Sequence, residues 1–111
     1  MDVAWALPAA GDLRAGMAFY DAQEDGLGDK FGQQVEDAIA RIVRYPRAWV
    51  PLGGGLRRCQ THRFPYGVYY RIKGERIEVL AILDLRRSAE AWQRRLRELD
   101  DWRQLGSDNS V

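Results

Sequence analysis

Arginine is the side chain with the greatest capacity for chemistry in this sequence. The 111 residues include 15 Arg and only two Lys. Residues 57–97 carry eleven basic and four acidic side chains, a net charge of +7, whereas residues 1–55 carry a net charge of −3. Because a guanidinium binds phosphates and carboxylates through paired hydrogen bonds, this clustering indicates a surface that meets nucleic acid or an acidic protein. A GC-rich genome would explain a preference for Arg codons, but not their clustering.

Groups that can transfer protons are scarcer. Cleavage of RNA through its 2′-hydroxyl needs a base, a cation beside the phosphate and an acid for the leaving oxygen. His62 is the one imidazole of the chain, although a lone histidine on a strand is more often structural. Asp84 could act as a base or form an ion pair with Arg86 or Arg87, and the ion pair is the preferred interpretation. The cations that could stabilise the charge are Arg57, Arg58, Arg63, Arg71 and Arg86.

Neither a metal nor a cofactor is expected. Cys59 has no nearby His or Asp pattern that would make it a nucleophile, so we interpret it as a strand residue. The three glycines at 53–55 lead into a strand, and neither Lys-Ser nor Lys-Thr follows them. A nucleotide-binding loop is therefore not predicted, and we interpret these glycines as a flexible connection.

Length and composition indicate one soluble domain. The chain is 46% hydrophobic and 30% charged, values typical of a globular protein. We expect a single domain at 1–105 and a flexible tail at 106–111. No apolar run approaches the ~18 residues of a membrane span, the first residues do not resemble a signal peptide, and the single cysteine cannot form an internal disulfide. Together these observations favour the cytoplasm and exclude a membrane partner.

Hydrophobic periodicity predicts the order β-α-α-β-β-β-α. A short strand at 3–7, closed by Pro8, precedes a helix at 9–24. A second helix starts at Leu27 and ends before Pro46, because its apolar residues recur every three or four positions. The region 47–55 is predicted as a loop, followed by strands at 56–63, 66–73 and 76–84. The last helix starts near Ala89, with Ser88 as its cap and an apolar stripe of Trp92, Leu96 and Leu99.

The helices can cover only one face of so small a sheet well. The other face is then left for a ligand or a partner. In the strand at 66–73, alternation places Tyr69 and Arg71 on the face opposite Val68 and Tyr70.

A series of short motifs runs through nearly the whole chain. They are Ala9-Ala10-Gly11-Asp12-Leu13, Phe19-Tyr20, Gly26-Leu27-Gly28-Asp29-Lys30-Phe31, Ile42, Pro46, Arg57-Arg58, Phe64-Pro65-Tyr66, Tyr69-Tyr70, Arg86-Arg87 and Trp92-Gln93-Arg94-Arg95. In this order they resemble the RelE/ParE family of bacterial toxins. The resemblance implies an α+β fold in which a helical hairpin packs on a small twisted antiparallel sheet. It also implies a toxin neutralised by a cognate antitoxin encoded by the adjacent gene, with DNA contacted only through that antitoxin.

Two activities occur in that family, and the resemblance leans towards one of them. RelE-like members cut mRNA in the ribosome, whereas ParE-like members inhibit DNA gyrase without hydrolysis. The RelE-like nucleases use lysines, or a Glu/His pair, together with a tyrosine near the C-terminus. Here Lys occurs only at 30 and 73, no Tyr follows Tyr70, and Asp84 stands where many relatives carry His. The sequence at 64–70 is more similar to that of the ParE-like members, so we expect a gyrase inhibitor. The alternatives are the mRNA endonuclease and a non-toxic small RNA- or protein-binding module.

The resemblance and the charge pattern together suggest three sets of site residues. If the chain is a nuclease, the catalytic candidates are Arg58, His62, Arg71, Asp84 and Arg86. The candidates for binding the target or nucleic acid are Arg57, Arg58, Arg63, Tyr69, Arg71, Arg86, Arg87, Arg94 and Arg95. The candidates for contact with the antitoxin are Trp5, Tyr20, Arg71, Trp92 and Leu96, although tryptophans more often lie in a core.

Overall fold

The computed structural model describes residues 1–87, 89–90, 93–95 and 97–98. Two helices and five strands precede a helical stretch that includes the described residues between 89 and 98. The elements are β1 (Asp2–Trp5), α1 (Leu7–Gln23), α2 (Leu27–Arg44), β2 (Val50–Gly53), β3 (Leu56–Gln60), β4 (Tyr66–Lys73) and β5 (Arg76–Asp84). The predicted tail at 106–111 and the predicted cap Ser88 lie outside the described residues. Within the described part of the chain, no helix has the length and apolar character to cross a membrane.

The helical hairpin was predicted well, apart from its first turn. The stripe on α2 is confirmed, since Phe31, Val35 and Ile42 are fully buried against the sheet. Pro8 does not close β1 but lies in the first turn of α1, where a fixed φ and a missing N–H suit a helix start. The strand therefore ends at Trp5, two residues earlier than predicted.

Two glycines allow the helices of the hairpin to approach closely. A Cβ on Gly16 would lie 2.5 Å from Cε2 of Phe31, and a Cβ on Gly28 would collide with the carbonyl oxygen of Met17. The backbone N–H of Gly28 also donates to Oδ1 of Asp21 at 2.7 Å, across the hairpin. Glycines that weaken an isolated helix are thus the contact points of this pair.

The sheet has the order β1-β5-β4-β3-β2 and is mixed. The predicted fold class is confirmed, with one difference in detail: strands β2 to β5 form an antiparallel meander, but β1 pairs parallel with β5. The direction follows from the connections. The hairpin of two helices returns the chain to the end at which β1 finishes, so β2 runs against β1. Three further reversals then bring β5 into the direction of β1.

The predicted loop at 47–55 contains a strand that the sequence reading missed. β2 is an edge strand with Pro51 in its centre, and it pairs with β3 around a register shift. The glycines 53–55 all have positive φ, between 60° and 94°, so they form the turn of a tight β2–β3 hairpin. The strand was hidden because proline and glycine are both depleted in strands and are tolerated mainly at edges.

A bulge in β5 explains why that strand is apolar on both faces. Tyr69 pairs with Ala81 and Tyr70 with Val79, so Leu80 is the extra residue. Val79 and Ile82 then face the helices, while Leu80, Ala81 and Leu83 pack with Tyr69 on the other side, here called the second face. Tyr69 and Leu80 are only 1% and 2% exposed, so the second face is not the bare surface that was expected.

Candidate functional site

The second face carries two of the predicted arginines, on either side of Tyr69. Arg58 lies opposite Tyr69 in the β3–β4 register, and Arg71 lies opposite Glu78 in the β4–β5 register. The Arg58 guanidinium hydrogen-bonds the Tyr69 hydroxyl, although burial is the larger influence and raises the pKa of that phenol. Tyr69 was expected on an exposed target-binding surface. It is instead a buried group that holds Arg58, because the bulged β5 packs against its ring.

Gly67 is a site residue that the sequence analysis missed. A Cβ at this position would lie 2.9 Å from both Cγ and Cδ of Arg58 and 3.0 Å from Cδ2 of Leu85. The aliphatic stem of Arg58 therefore crosses the sheet over a backbone without a side chain. A glycine inside a strand often marks such a close approach, and this was the available signal.

Asp84 is paired with Arg86. Nη2 of Arg86 lies 2.7 Å from Oδ2 of Asp84, Nε lies 3.0 Å from Oδ1, and the backbone N–H of Arg86 also donates to Oδ1 at 2.8 Å. The side-chain hydrogen bond from Arg86 is the main cause that lowers the pKa of the Asp84 carboxyl. The carboxylate is therefore ionised and engaged, which makes it a weak base.

The two groups of charged candidates lie on opposite sides of the sheet. Asp84 faces the helices, where its charge raises the pKa of Tyr20 and Tyr66 as a minor contribution beside burial. Arg58 and Arg71 project from the second face. Two strand spacings, roughly 10 Å, also separate the backbones of β3 and β5. A single scissile phosphate could not contact all of these groups.

His62 and Arg63 lie on an exposed loop between β3 and β4. Nδ1 of His62 is 3.9 Å from Oδ2 of Asp37, and the two side chains are 66% and 51% exposed. Arg63 has a φ of 69°, uncommon for a residue with a side chain. An internal hydrogen bond restrains the backbone of this loop, because Oγ1 of Thr61 donates to the carbonyl of Phe64 at 2.8 Å.

An open cleft of about 520 Å³ brings this loop together with Arg58. Its walls come from the end of α2, the segment before β2 and the β3–β4 loop. The lining residues are Arg41, Trp49, Val50, Arg58, Gln60, Thr61, His62 and Arg63. The cleft is a basic surface that both nucleic acid and acidic protein would suit.

Arg41, which was not predicted, supports the cleft structurally. Its Nε lies 3.1 Å from Oδ2 of Asp37, its Nη2 donates to the carbonyl of Gln60 at 3.1 Å, and its guanidinium lies 5.6 Å from the centroid of the Trp49 ring. Arg57 is also a structural residue, because its Nη1 donates to the carbonyl of Trp49 at 2.9 Å. Its role in target binding stays a prediction, because this half-buried side chain already has one nitrogen engaged.

A second groove, of about 320 Å³, lies between α1 and the end of β5. Asp12 of α1 lines this groove. Its Oδ2 accepts a hydrogen bond from the backbone N–H of Ile82 at 3.0 Å, and its Oδ1 forms an ion pair with Nη2 of Arg95 at 2.6 Å. Arg95 also donates to the carbonyl of Pro8. Arg95 is thus bound to α1, whereas Arg87 and Arg94 are exposed.

The predicted antitoxin contacts are mostly core residues or lie outside the described part. Tyr20 is 8% exposed, and its ring packs against Phe64 and Phe31 with centroids 4.7 and 5.2 Å away. Its ring therefore packs in the aromatic core, and its contact with a partner stays a prediction. Trp5 is partly buried against the same core. Trp92 and Leu96 lie outside the described residues.

The fold, a helical hairpin on one face of a five-stranded sheet, is similar to that of two solved structures. One chain of a structure titled "Chromosomal ParDE TA system from P. aeruginosa" has 23% sequence identity and a TM-score of 0.59, covering 77% of this chain and 96% of its own. The isolated E. coli RelE toxin has 13% identity and a TM-score of 0.58, covering 88% of this chain and 97% of its own. A search of curated proteins finds no match.

The family is established by sequence. The family described as "ParE toxin of type II toxin-antitoxin system, parDE" matches residues 3–92. The chain therefore belongs to the ParE toxin family, and its resemblance to RelE/ParE toxins is confirmed.

Proposed function

We propose that this toxin inhibits DNA gyrase by binding it, without hydrolysing nucleic acid, and that a cognate antitoxin from the adjacent gene neutralises it. The action would take place in the cytoplasm, where gyrase and DNA are found. One observation carries the proposal. The groups that a nuclease would need are not gathered around one point, because Asp84 is paired with Arg86 on the helix side while Arg58 and Arg71 project from the second face.

The basic cleft gives the proposal its binding surface. Arg58 is held by Tyr69 and supported by Gly67, while Arg63 is exposed at the tip of a firmly bonded loop. Arginines that are held in place lose little conformational entropy when they pair with carboxylates, and such residues often dominate protein interfaces. An acidic surface on the target would complement this cleft.

The test compares two charge reversals of equal size. Arg58→Glu should abolish growth arrest and inhibition of gyrase supercoiling, because it places a carboxylate in the cleft. Arg47→Glu, at an exposed position that does not line the cleft, should leave both unchanged. Total mRNA should stay intact in cells that express the wild type. Codon-specific mRNA cuts that are lost in Asp84→Ala would refute the proposal.

One observation favours the mRNA endonuclease as a second candidate. His62 lies within 3.9 Å of a carboxylate oxygen of Asp37, in the same cleft as Arg58 and Arg63. An imidazole beside a carboxylate is an arrangement that general acid–base catalysis uses. If this candidate is right, the wild-type toxin should cut mRNA on translating ribosomes and should not inhibit gyrase. His62→Ala and Asp37→Asn should then each abolish the cleavage.

The non-toxic binding module is separated from both toxins by a simpler measurement. Expression of the wild-type chain alone should arrest growth, and coexpression of the adjacent reading frame should restore it. Growth that is unaffected by the chain alone would favour the binding module.

A further inference from the structure

The turn between α1 and α2 concentrates negative charge on the surface. Residues 21–29, here called the acidic tip, include no Lys or Arg, and their carboxylates are those of Asp21, Glu24, Asp25 and Asp29. All four residues are exposed. Lys30 is the nearest basic residue in sequence, but no basic side chain in the described part of the chain forms an ion pair with the acidic tip. The charge therefore stays uncompensated within one molecule.

The dipole of α1 makes part of this charge unfavourable. The C-terminal end of a helix carries a partial negative charge, so basic residues are the ones that stabilise it. The last turn of α2 follows this rule with Arg41 and Arg44. The last turn of α1 holds no basic residue, and it contains Asp21 and is capped by Glu24. A cation that approaches this helix end from outside would therefore be attracted by both the side chains and the dipole.

The acidic tip is a convex surface. Glu24, Asp25 and Gly26 are the residues that connect the two helices. Gly26 has a φ of 85°, and a Cβ on it would meet no atom within 4 Å other than those of its chain neighbours. The turn thus projects beyond the atoms around it, and its carboxylates can enter a concave surface on another molecule.

The basic cleft has the complementary shape and charge. Among the described residues that line it, none is Asp or Glu, whereas Arg41, Arg58 and Arg63 are cations. Arg41 already pairs with Asp37, but Arg63 is exposed and has no ion-pair partner in the described part of the chain. The volume of about 520 Å³ is that of a pocket for a small ligand, so the cleft has room for the side chains of a short turn.

Helix α2 holds these two surfaces apart. Asp29 lies in its first turn and Arg41 in its last, and the twelve positions between them correspond to about 18 Å along the helix axis. The acidic tip therefore cannot enter the basic cleft of its own chain. A contact between two different surfaces of identical chains is heterologous, so each further copy can add in the same way.

From this complementarity we infer that the acidic tip of one molecule docks in the basic cleft of a second copy of this chain. Glu24 and Asp25 enter the cleft, and their carboxylates pair with the guanidinium of Arg63 and with that of Arg58. The docking itself does not depend on the proposed function. Only its consequence rests on that function, because a filled cleft would be closed to gyrase.

The experiment measures self-association of the purified toxin by sedimentation equilibrium. In low salt the average mass of the wild type should rise with protein concentration up to about 1 mM, and about 1 M salt should return it towards the monomer. Two neutral double substitutions test the surfaces. Glu24→Gln with Asp25→Asn is the tip variant, and Arg58→Gln with Arg63→Gln is the cleft variant. Each should lower the association constant roughly 3- to 30-fold, the effect of losing two exposed ion pairs.

A mixture of the two variants separates head-to-tail docking from a symmetric dimer. The tip variant keeps its basic cleft and the cleft variant keeps its acidic tip. An equimolar mixture should therefore form a heterodimer with nearly wild-type affinity, although each variant alone associates weakly. The matched controls remove the same charges at exposed positions outside both surfaces. They are Glu36→Gln with Glu75→Gln, and Arg14→Gln with Arg47→Gln, and both should associate like the wild type.

Three outcomes would overturn the inference. The first is a wild type that stays monomeric at about 1 mM in low salt. The second is equal weakening in the control variants, which would indicate a general effect of net charge. The third is a mixture that associates no better than the separate variants, which would indicate a symmetric interface. If circular dichroism shows that the cleft variant fails to fold, Arg63→Gln alone replaces it, because Arg63 is exposed. Gyrase takes no part in these measurements, so failure of the proposed function would leave their outcome unchanged.

Discussion

Substitution of Gly67 by alanine should separate the position of Arg58 from the stability of the fold. The new Cβ would lie 2.9 Å from Cγ and Cδ of Arg58, whereas carbon atoms pack at about 3.5 Å or more. The stem of Arg58 must therefore withdraw by roughly 0.6 Å. Leu85, whose Cδ2 would be 3.0 Å away, limits relaxation on the other side. The movement pulls the guanidinium away from the hydroxyl of Tyr69.

The expected cost has two parts that different assays measure. Overpacking costs about 1–3 kcal/mol, partly offset because glycine in a strand is about 0.5–1 kcal/mol worse than alanine. The free energy of unfolding should thus fall by about 0–2.5 kcal/mol. Loss of a hydrogen bond to a charged group is worth about 1.5–3 kcal/mol, so the proposed inhibition of gyrase should weaken roughly 10- to 100-fold.

Urea unfolding would measure the stability, and a supercoiling assay would measure the inhibition. Both assays are run at a temperature at which the wild type and Gly67→Ala are folded. Gly32→Ala is the control, because its Cβ would meet only the flexible end of Met17, 3.3 Å from Cε. A helical position should gain up to about 1 kcal/mol from the change and leave inhibition unaltered. If Gly67→Ala inhibits gyrase as well as the wild type, then Arg58 does not depend on this close approach, and the reasoning is wrong.

Three further changes test the packing and the ionisable groups. Tyr70→Phe should lower the stability at pH 7 by about 1–2 kcal/mol, because the hydroxyl donates to the carbonyl of Pro46 at 2.6 Å. Burial raises the pKa of Tyr70 to about 12, and the unfolded phenol titrates near 10, so the wild type should lose up to about 2.7 kcal/mol between pH 10 and 12. Urea unfolding should therefore show a smaller difference in unfolding free energy between the wild type and Tyr70→Phe at pH 12 than at pH 10. An equal difference at both pH values would contradict the raised pKa of Tyr70. The pKa of Asp84 is lowered by Arg86, so this ion pair stabilises the fold above pH ~4 and is lost as the pH falls through the folded-state value. Thermal melts should show less acid sensitivity in Asp84→Asn than in the wild type, and equal sensitivity would count against the pair. Gly28→Ala should lower the melting temperature despite better helix propensity, because its Cβ meets backbone rather than a movable side chain; an unchanged melting temperature would mean that the hairpin can spread without cost.

The elements that depend on local pattern were predictable, and those that depend on chain direction or pairing were not. The apolar stripe of α2 predicted its buried face, because helix periodicity is written in consecutive residues. β2 was hidden by Pro51. The parallel pairing of β1 with β5 depends on how many times the chain reverses its direction between them. Because β2 was not predicted, the number of reversals, and with it the direction of β5 relative to β1, could not be predicted either.

The candidate site divides along the same line. Asp84 and Arg86 are two residues apart, so their ion pair could be weighed from sequence alone. The Arg58–Gly67–Tyr69 arrangement depends on the register between β3 and β4, which side-chain alternation alone leaves open. The hydrogen bonds from Arg41 to Gln60 and from Ile82 to Asp12 join residues 19 and 70 positions apart, beyond the reach of any spacing argument.

Those two long-range hydrogen bonds have a consequence for the exposed ends of the strands. β5 and β3 each extend past the neighbouring strand, which leaves backbone groups that another chain could pair with. Each helix supplies the charge that the backbone group requires: an anion, Asp12, accepts the N–H of Ile82, and a cation, Arg41, donates to the carbonyl of Gln60. A strand from a neighbouring molecule would have to displace a charged group at either position before it could add to the sheet. At these two positions the helices therefore oppose the addition of a further strand to the sheet.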